Sequence, residues 1–318
     1  MDRNLALEAV RVTEAAALAS ARLMGLGSEH QAERVASEAI RRAFGSIEIC
    51  GTVVVGDGDR GDTPVLYAGE KLGRWADTDA SVGLAIDSLE GSSSCAKGRN
   101  EAMAAIAMTS GRFLPVPDVF VERIAVGPAA AGAIDLSAPP AENLRAVADA
   151  KGVYVEDLTI AILDHPRHER LVRAVREAGA RIRLFEGGEL ATAVATAKDE
   201  AGIDIALGIG GAAETVIAAA ALRCLGGDIF ARFSGRTEQE IQKLEERGLE
   251  PDRVYGIEEL AYGDVVFAAT GVTTGAMLDG VRFVRGGAVT SSMVMRSKTM
   301  TVRYITAHHR FDRKPDYG

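Results

Sequence analysis

Apolar positions at Leu5, Ala9, Val12, Ala16, Ala19 and Leu23 recur at spacings of four and three, which predicts a helix over 4–24 ended by Gly25. Ala32, Val35, Ala39 and Ile40 predict a second helix over 31–44. The β-branched run at 47–55 predicts a strand that breaks into Gly56-Asp57-Gly58-Asp59-Arg60-Gly61-Asp62. A short strand at 82–86 closes on Asp87-Ser88-Leu89-Glu90-Gly91-Ser92, ahead of an Ala/Met-rich run at 101–108. The second half alternates more regularly, with strands at 159–163, 180–185 and 203–207 and helices at 169–178, 190–198 and 213–225. That order predicts an α/β domain with substantial parallel pairing. Thr237-Glu238-Gln239-Glu240 reads as a capping box opening a charged surface helix. Further strands are expected at 265–269, 281–284, 289–295 and 299–305, and a solvated tail from 310. The Gly/Ala/Pro-rich stretch from Gly127 to Pro140 is the expected boundary, giving portions 1–127 and 128–318.

The chain has 318 residues, 47% of them hydrophobic and 25% charged. At roughly 100–200 residues per domain this suggests about two domains, and it excludes a disordered, collagenous or disulfide-framed chain. A formal net charge of −9 disfavours nucleic acid, which is held through its phosphates, but leaves small anions open where a metal or local basic groups reverse the field. Cys50, Cys95 and Cys224 are an odd, widely spaced set that suits a reducing compartment. Asp2, Arg3 and Glu8 stand where a secretory leader would need an apolar run. The most apolar stretch, 212–225, is interrupted by Glu214 and Arg223 and falls short of the ~20 residues a membrane span needs. A cytoplasmic protein with no membrane partner is therefore expected.

Gly56, Gly58 and Gly61 match G-x-G-x-x-G after a strand. Asp57, Asp59 and Asp62, however, would put negative charge where a pyrophosphate needs bare amides, and no amphipathic helix pattern follows. Gly208, Gly210 and Ala213 form a second near-match, but Asp228 would begin the next strand, whereas a ribose-binding acid should end it. Both features count against a nucleotide oxidoreductase. The first loop also fails as an EF-hand, because Ala68 stands where the bidentate Glu belongs.

What remains is a set of carboxylates. Asp57, Asp59 and Asp62 follow one predicted strand, Asp87 and Glu90 end another, and Glu214 opens a helix after a glycine run. Oxygen donors at strand ends and loop–helix junctions suit hard divalent cations such as Mg²⁺ or Mn²⁺. Acids in turns also cap helices and satisfy backbone amides. Asp87-x-x-Glu90-Gly91-Ser92 offers more, since Gly91 and Ser92 add amides and a hydroxyl that a phosphate could use. Trp75, His308 and His309 are read as packing or surface residues, and Cys95, with no paired His, is not expected to be a nucleophile.

Asp87-x-x-Glu90-Gly91-Ser92 resembles the D-P-x-[D/E]-G-T signature of the lithium-sensitive phosphatases. More narrowly, the chain is similar to the class II, GlpX-type fructose-1,6-bisphosphatases. The segments that carry the likeness are 11–16 (RVTEAA), 51–56 (GTVVVG), 64–70 (PVLYAGE), 208–214 (GIGGAAE), 269–273 (ATGVT) and 294–298 (VMRSK). The resemblance implies a layered α/β/α/β/α sugar-phosphatase fold, with a metal-binding N-terminal portion and an α/β C-terminal portion. It implies a Mg²⁺- or Mn²⁺-dependent phosphatase acting on a sugar bisphosphate, fructose 1,6-bisphosphate being the family default, and a homo-oligomer.

Carried over by position, the resemblance implies metal binding by Asp87, Glu90 and Glu214, with Glu33 and Asp57 standing for a family Asp and Glu. Ser92 replaces the family's catalytic Thr and would orient water with Asp59, and Asp62, beside the Gly61 that replaces a family Asp, is the further catalytic candidate. Gly91 and Ser92 would hold the scissile phosphate and Arg167 and His168 the distal one, with Phe120, Gly188, Glu189 and Gly210 among the substrate contacts. Four departures cluster at the implied site: Glu29 for Lys, Gly61 for Asp, Phe120 for Tyr, and Gly187-Gly188-Glu189 for Asp-Gly-Asp. They open two alternatives, a phosphatase for another sugar or cyclitol phosphate and a catalytically impaired homologue that binds sugar phosphate.

Overall fold

The computed structural model describes residues 5–58, 65–234 and 237–313. In chain order its elements begin with α1 (Leu5–Ser20), α2 (Glu29–Phe44), β1 (Ile49–Val55), β2 (Lys71–Leu72), β3 (Ala80–Glu90), α3 (Ser92–Ala96), β4 (Met103–Thr109), β5 (Arg112–Phe113) and β6 (Phe120–Val126). Next come α4 (Pro140–Lys151), β7 (Thr159–Leu163), α5 (Glu169–Glu177), β8 (Arg181–Phe185), α6 (Glu189–Ala195), β9 (Ile205–Gly211), α7 (Ala212–Leu225) and β10 (Asp228–Arg232). The chain continues with α8 (Glu238–Glu246), β11 (Val254–Gly256), α9 (Ile257–Leu260), β12 (Ala261–Tyr262), β13 (Val265–Gly271), β14 (Arg282–Val284), β15 (Gly287–Arg296) and β16 (Thr301–Arg310). The mixture of helices and sheets is the α/β class expected.

Two compact units divide the chain: Met1–Phe113 with Tyr262–Gly318, and Leu114–Ala261. The division does not follow the Gly/Ala/Pro-rich stretch at 127–140. Strands β13 to β16 return to the sheet that begins with β1, so the second unit is an insertion in the first rather than its successor.

The first unit holds one sheet in the order β14-β15-β13-β4-β3-β1-β2, with β16 on β15. Among the described strands of this sheet β1 and β3 pair in parallel and the others pair antiparallel. α1 and α2 pack on this sheet, burying Ala9, Val12 and Ala16 with Ala36, Ile40 and Phe44 against Leu84, Ile106 and Val294. α2 starts where Ser28 accepts a hydrogen bond from the Gln31 amide (3.3 Å), which satisfies one orphan donor of its first turn. β4 is buried at every position, which removes the alternation by which a strand is normally read.

The second unit holds a sheet in the order β11-β10-β6-β9-β7-β8. The β8-β7-β9 part is parallel, as the strand–helix alternation predicts, and β9-β6-β10-β11 is antiparallel. Neighbouring residues of β7 enter different cores. Ile160 and Ile162 pack with Leu144, Val147 and Val175 of α4 and α5, while Ala161 packs with Ala195 at the end of α6.

Candidate active site

In the first unit the carboxylates are placed by a backbone irregularity. Asp87 of β3 faces Ala105 of β4 and Glu90 faces Met103, three steps against two, so β3 carries an extra residue there. In a regular strand three steps reverse the side-chain direction; the bulge restores it. The Asp87 and Glu90 carboxylates accordingly offer oxygens within 4.8 Å of each other. Gly91 follows at φ +74°, where a Cβ would sit 2.9 Å from the Glu101 carbonyl oxygen, so only glycine fits the turn into α3. Ser92 is then the first residue of that helix and half-buried.

Asp57 lies just beyond β1. Its Oδ1 accepts the Ser88 amide (3.1 Å) and its Oδ2 accepts the Ser37 hydroxyl of α2 (2.9 Å). Ser37 and Ser88 are themselves 2.8 Å apart, Oγ to Oγ, which ties α2, the β1 exit and the bulge into one polar cluster. Burial in dense surrounding protein pushes the Asp57 carboxyl up, the charge of Glu33 adds to the rise, and the Ser88 and Ser37 hydrogen bonds oppose it. The residue keeps solvent access, and both of its oxygens accept, the pattern of an ionised carboxylate. Glu33 is an exposed residue of α2. Asp59, Asp62 and Gly61 lie outside the described residues. Glu29 opens α2, with Lys97 Nζ 3.9 Å away.

In the second unit Arg167, Phe120, Glu189 and Gly210 come together around Arg123, a residue that the sequence did not single out. Arg123, in the middle of β6, is buried; its guanidinium donates to Glu189 Oε2 and, at 3.1 Å, to Thr215 Oγ1 of α7. Arg167 lies 3.8 Å from the other Glu189 oxygen, donates to the Ile209 carbonyl (2.9 Å), and stacks over Phe120 with 4.7 Å from guanidinium carbon to ring centre. Two cations thus share one carboxylate, and Phe120, 52% exposed, presents no hydroxyl. Gly188, at φ +82°, is the N-cap of α6, which places Glu189 in the first turn.

The glycines of β9 are required by these side chains rather than by a pyrophosphate. A Cβ at Gly210 would overlap the Glu189 carboxylate and come within 2.6 Å of the Arg123 guanidinium, and one at Gly211 would overlap the carboxylate of Glu214. Glu214 itself stands in the first turn of α7. Gly208 takes φ +145°, and a Cβ there would lie 2.9 Å from His168 Nε2.

His168 requires a correction. Its Nδ1–H donates to the Leu163 carbonyl (2.9 Å) and its Nε2 accepts the Ile209 amide (2.8 Å). A carbonyl can only accept and an amide can only donate, so the ring is the neutral Nδ1–H tautomer with both nitrogens engaged. Burial lowers its pKa, opposed by the Leu163 hydrogen bond and helped by the charge of Arg167. His168 therefore pins β9 to the end of β7 instead of meeting a phosphate.

Of the remaining singletons, Trp75 is 39% exposed and donates to the Leu72 carbonyl at 2.9 Å, a surface contact. Cys95 is buried and burial pushes its thiol pKa up, the reverse of what a nucleophile needs. Among the described residues no helix is long and apolar enough to cross a membrane.

Comparison with known proteins adds to this geometry. The family model for bacterial fructose-1,6-bisphosphatase, glpX-encoded, matches residues 3–309. A protein of Synechococcus elongatus named D-fructose 1,6-bisphosphatase class 2/sedoheptulose 1,7-bisphosphatase is 38% identical over 98% of this chain and 98% of its own. One of the same name from Microcystis aeruginosa is 38% identical over 100% of this chain and 99% of its own. With acids at a strand bulge and arginines over a glycine strand, and with likeness along the full length, this chain belongs to the GlpX-type fructose-1,6-bisphosphatase family of divalent-metal-dependent phosphoric monoester hydrolases.

Proposed function

We propose that this protein is a Mg²⁺- or Mn²⁺-dependent phosphatase that releases one phosphate from a sugar bisphosphate, with fructose 1,6-bisphosphate the first substrate to try. The observation that carries the reading is the Asp87–Glu90 pair, brought to one side of β3 by its bulge and followed directly by Gly91 and Ser92. A pair of carboxylates this close repels itself unless a cation lies between, and an all-oxygen donor set is what Mg²⁺ and Mn²⁺ take. Asp87, Glu90 and Glu214 are proposed as ligands, with Asp57 and Glu33 completing the acidic set. The ion would supply charge neutralisation on the phosphoryl group and acidify the attacking water.

The chain's own residues do the positioning. Ser37 and the Ser88 amide fix Asp57. Ser92 is proposed to orient water with its hydroxyl, and the Gly91–Ser92 turn to receive the scissile phosphate. Arg167, held by the Ile209 carbonyl and the Phe120 ring, is proposed to take the distal phosphate. The relatives named for both fructose and sedoheptulose bisphosphates support a bisphosphate substrate. Phe120 and the Arg123-bound Glu189 favour a second reading, a different sugar or cyclitol phosphate, because a lost hydroxyl and a neutralised carboxylate alter hydrogen-bond readout. A cytoplasmic homo-oligomer is part of the proposal.

Phosphate release from fructose 1,6-bisphosphate, sedoheptulose 1,7-bisphosphate and a panel of sugar and cyclitol monophosphates, each with Mn²⁺ and with Mg²⁺, tests it. Metal-dependent turnover of a bisphosphate is expected; turnover of a monophosphate alone would favour the second reading, and silence with metal bound would leave a binding homologue.

A further inference from the structure

Arg123 has hydrogen-bond partners of two kinds. Thr215 Oγ1 donates its one proton to the Gly211 carbonyl (2.7 Å), so toward Arg123 Nη1, 3.1 Å away, it acts as an acceptor. The other arm, Nη2, donates to Glu189 Oε2, and the Gly210 backbone lies so close under that contact that a Cβ there has no room. The guanidinium is buried, anchored on a neutral oxygen at one end, and holds the carboxylate at the other.

Arg167 is engaged differently. It donates to the Ile209 carbonyl at 2.9 Å and stacks on the Phe120 ring, both neutral groups, while Glu189 Oε1 stays 3.8 Å away, beyond hydrogen-bond distance. A carboxylate closed onto Arg167 would occupy the fork that a phosphate uses. We propose that Arg123 is a positioning residue for the anion that Arg167 receives: by holding Glu189, it keeps that carboxylate from competing with the anion. The inference deepens the phosphatase reading and rests on it for naming the anion as the distal phosphate of the substrate.

Inorganic phosphate, titrated by calorimetry into the full chain in metal-free buffer, is the probe, and Arg167→Ala defines the share of binding that Arg167 carries. In Arg123→Met, which keeps side-chain length without charge, Glu189 is expected to turn to Arg167 and that share to weaken about tenfold or more. Arg123→Lys, which keeps the charge, should retain more affinity than Arg123→Met. The decisive variant is Arg123→Met with Glu189→Gln. An uncharged amide competes poorly for a guanidinium, so phosphate binding should return close to that of the unaltered chain, a rescue that a lost packing contact alone would not give. Turnover of fructose 1,6-bisphosphate is read separately: Arg123→Met should raise KM about tenfold and leave kcat within a few-fold, which shows that the fold survives the change. Unchanged phosphate binding in Arg123→Met or in Arg167→Ala, or a double variant that binds no better than Arg123→Met, overturns the inference. A chain that turns over no bisphosphate fails the phosphatase reading instead, and the phosphate titration still decides the role of Arg123.

Discussion

The bulged end of β3 and the glycine strand β9 solve opposite problems. At β3 like charges are gathered: Asp87 and Glu90 share one side of a strand, and the groups touching Asp57 nearby are neutral hydroxyls and an amide. At β9 opposite charges are gathered, with Arg123 and Arg167 around Glu189 over a backbone stripped of side chains. A cluster of like charge is costly until a cation enters, so it reads as a place for chemistry. A compensated cluster is stable alone and still presents guanidinium groups, so it reads as a place for recognition.

If that contrast is right, the largest effect belongs to the first cluster. Asp87→Asn keeps shape and removes charge; a loss of about 10³-fold or more in kcat is expected, the several kcal/mol that metal assistance is worth. Isothermal titration with Mn²⁺ on the same variant checks that the loss comes from the ion. Arg123→Ala breaks the second cluster instead. It leaves Glu189 beside a cavity, and urea unfolding should show a loss of about 3 kcal/mol, typical of removing one partner of a buried pair. Near-wild-type stability in that variant would mean that Glu189 finds compensation in Arg167 alone.

Smaller changes sharpen the picture. Gly91→Ala forces a side chain into a left-handed turn against the Glu101 carbonyl, at a cost of about 1–2 kcal/mol in the same assay. His168 gives the smallest effect, and its sign is fixed. Its folded pKa lies below the unfolded value of about 6.5, so the unfolded chain binds the extra proton first as pH falls. The stabilisation is complete above that value and declines as pH drops through the window beneath it. His168→Asn should flatten this part of the stability–pH curve; an unchanged slope would assign it to other groups.

The sequence made the two α1–α2 helices, the β7–α7 alternation and the acid runs legible, because each rests on a local period or a contiguous motif. What stayed hidden depends on distant partners. β4 has no alternation since all seven of its residues are buried. α4 begins on Pro140, which suits a first helical turn but reads as a break. Arg123 stands inside a strand as an ordinary charged residue, and only Glu189, 66 positions on, explains it. His168 was visible as a ring beside Arg167, but its roles are set by two backbone groups, one of them 41 positions away.

The most direct test of the division of labour is steady-state phosphate release from fructose 1,6-bisphosphate at saturating Mn²⁺, comparing Asp87→Asn with Arg167→Ala. The account predicts that Asp87→Asn loses kcat, while Arg167→Ala raises KM about 10–100-fold, the worth of one charge-assisted phosphate contact, and changes kcat by only a few-fold. A collapse of kcat in Arg167→Ala with KM unchanged, or an Asp87→Asn enzyme that keeps its kcat, would contradict it.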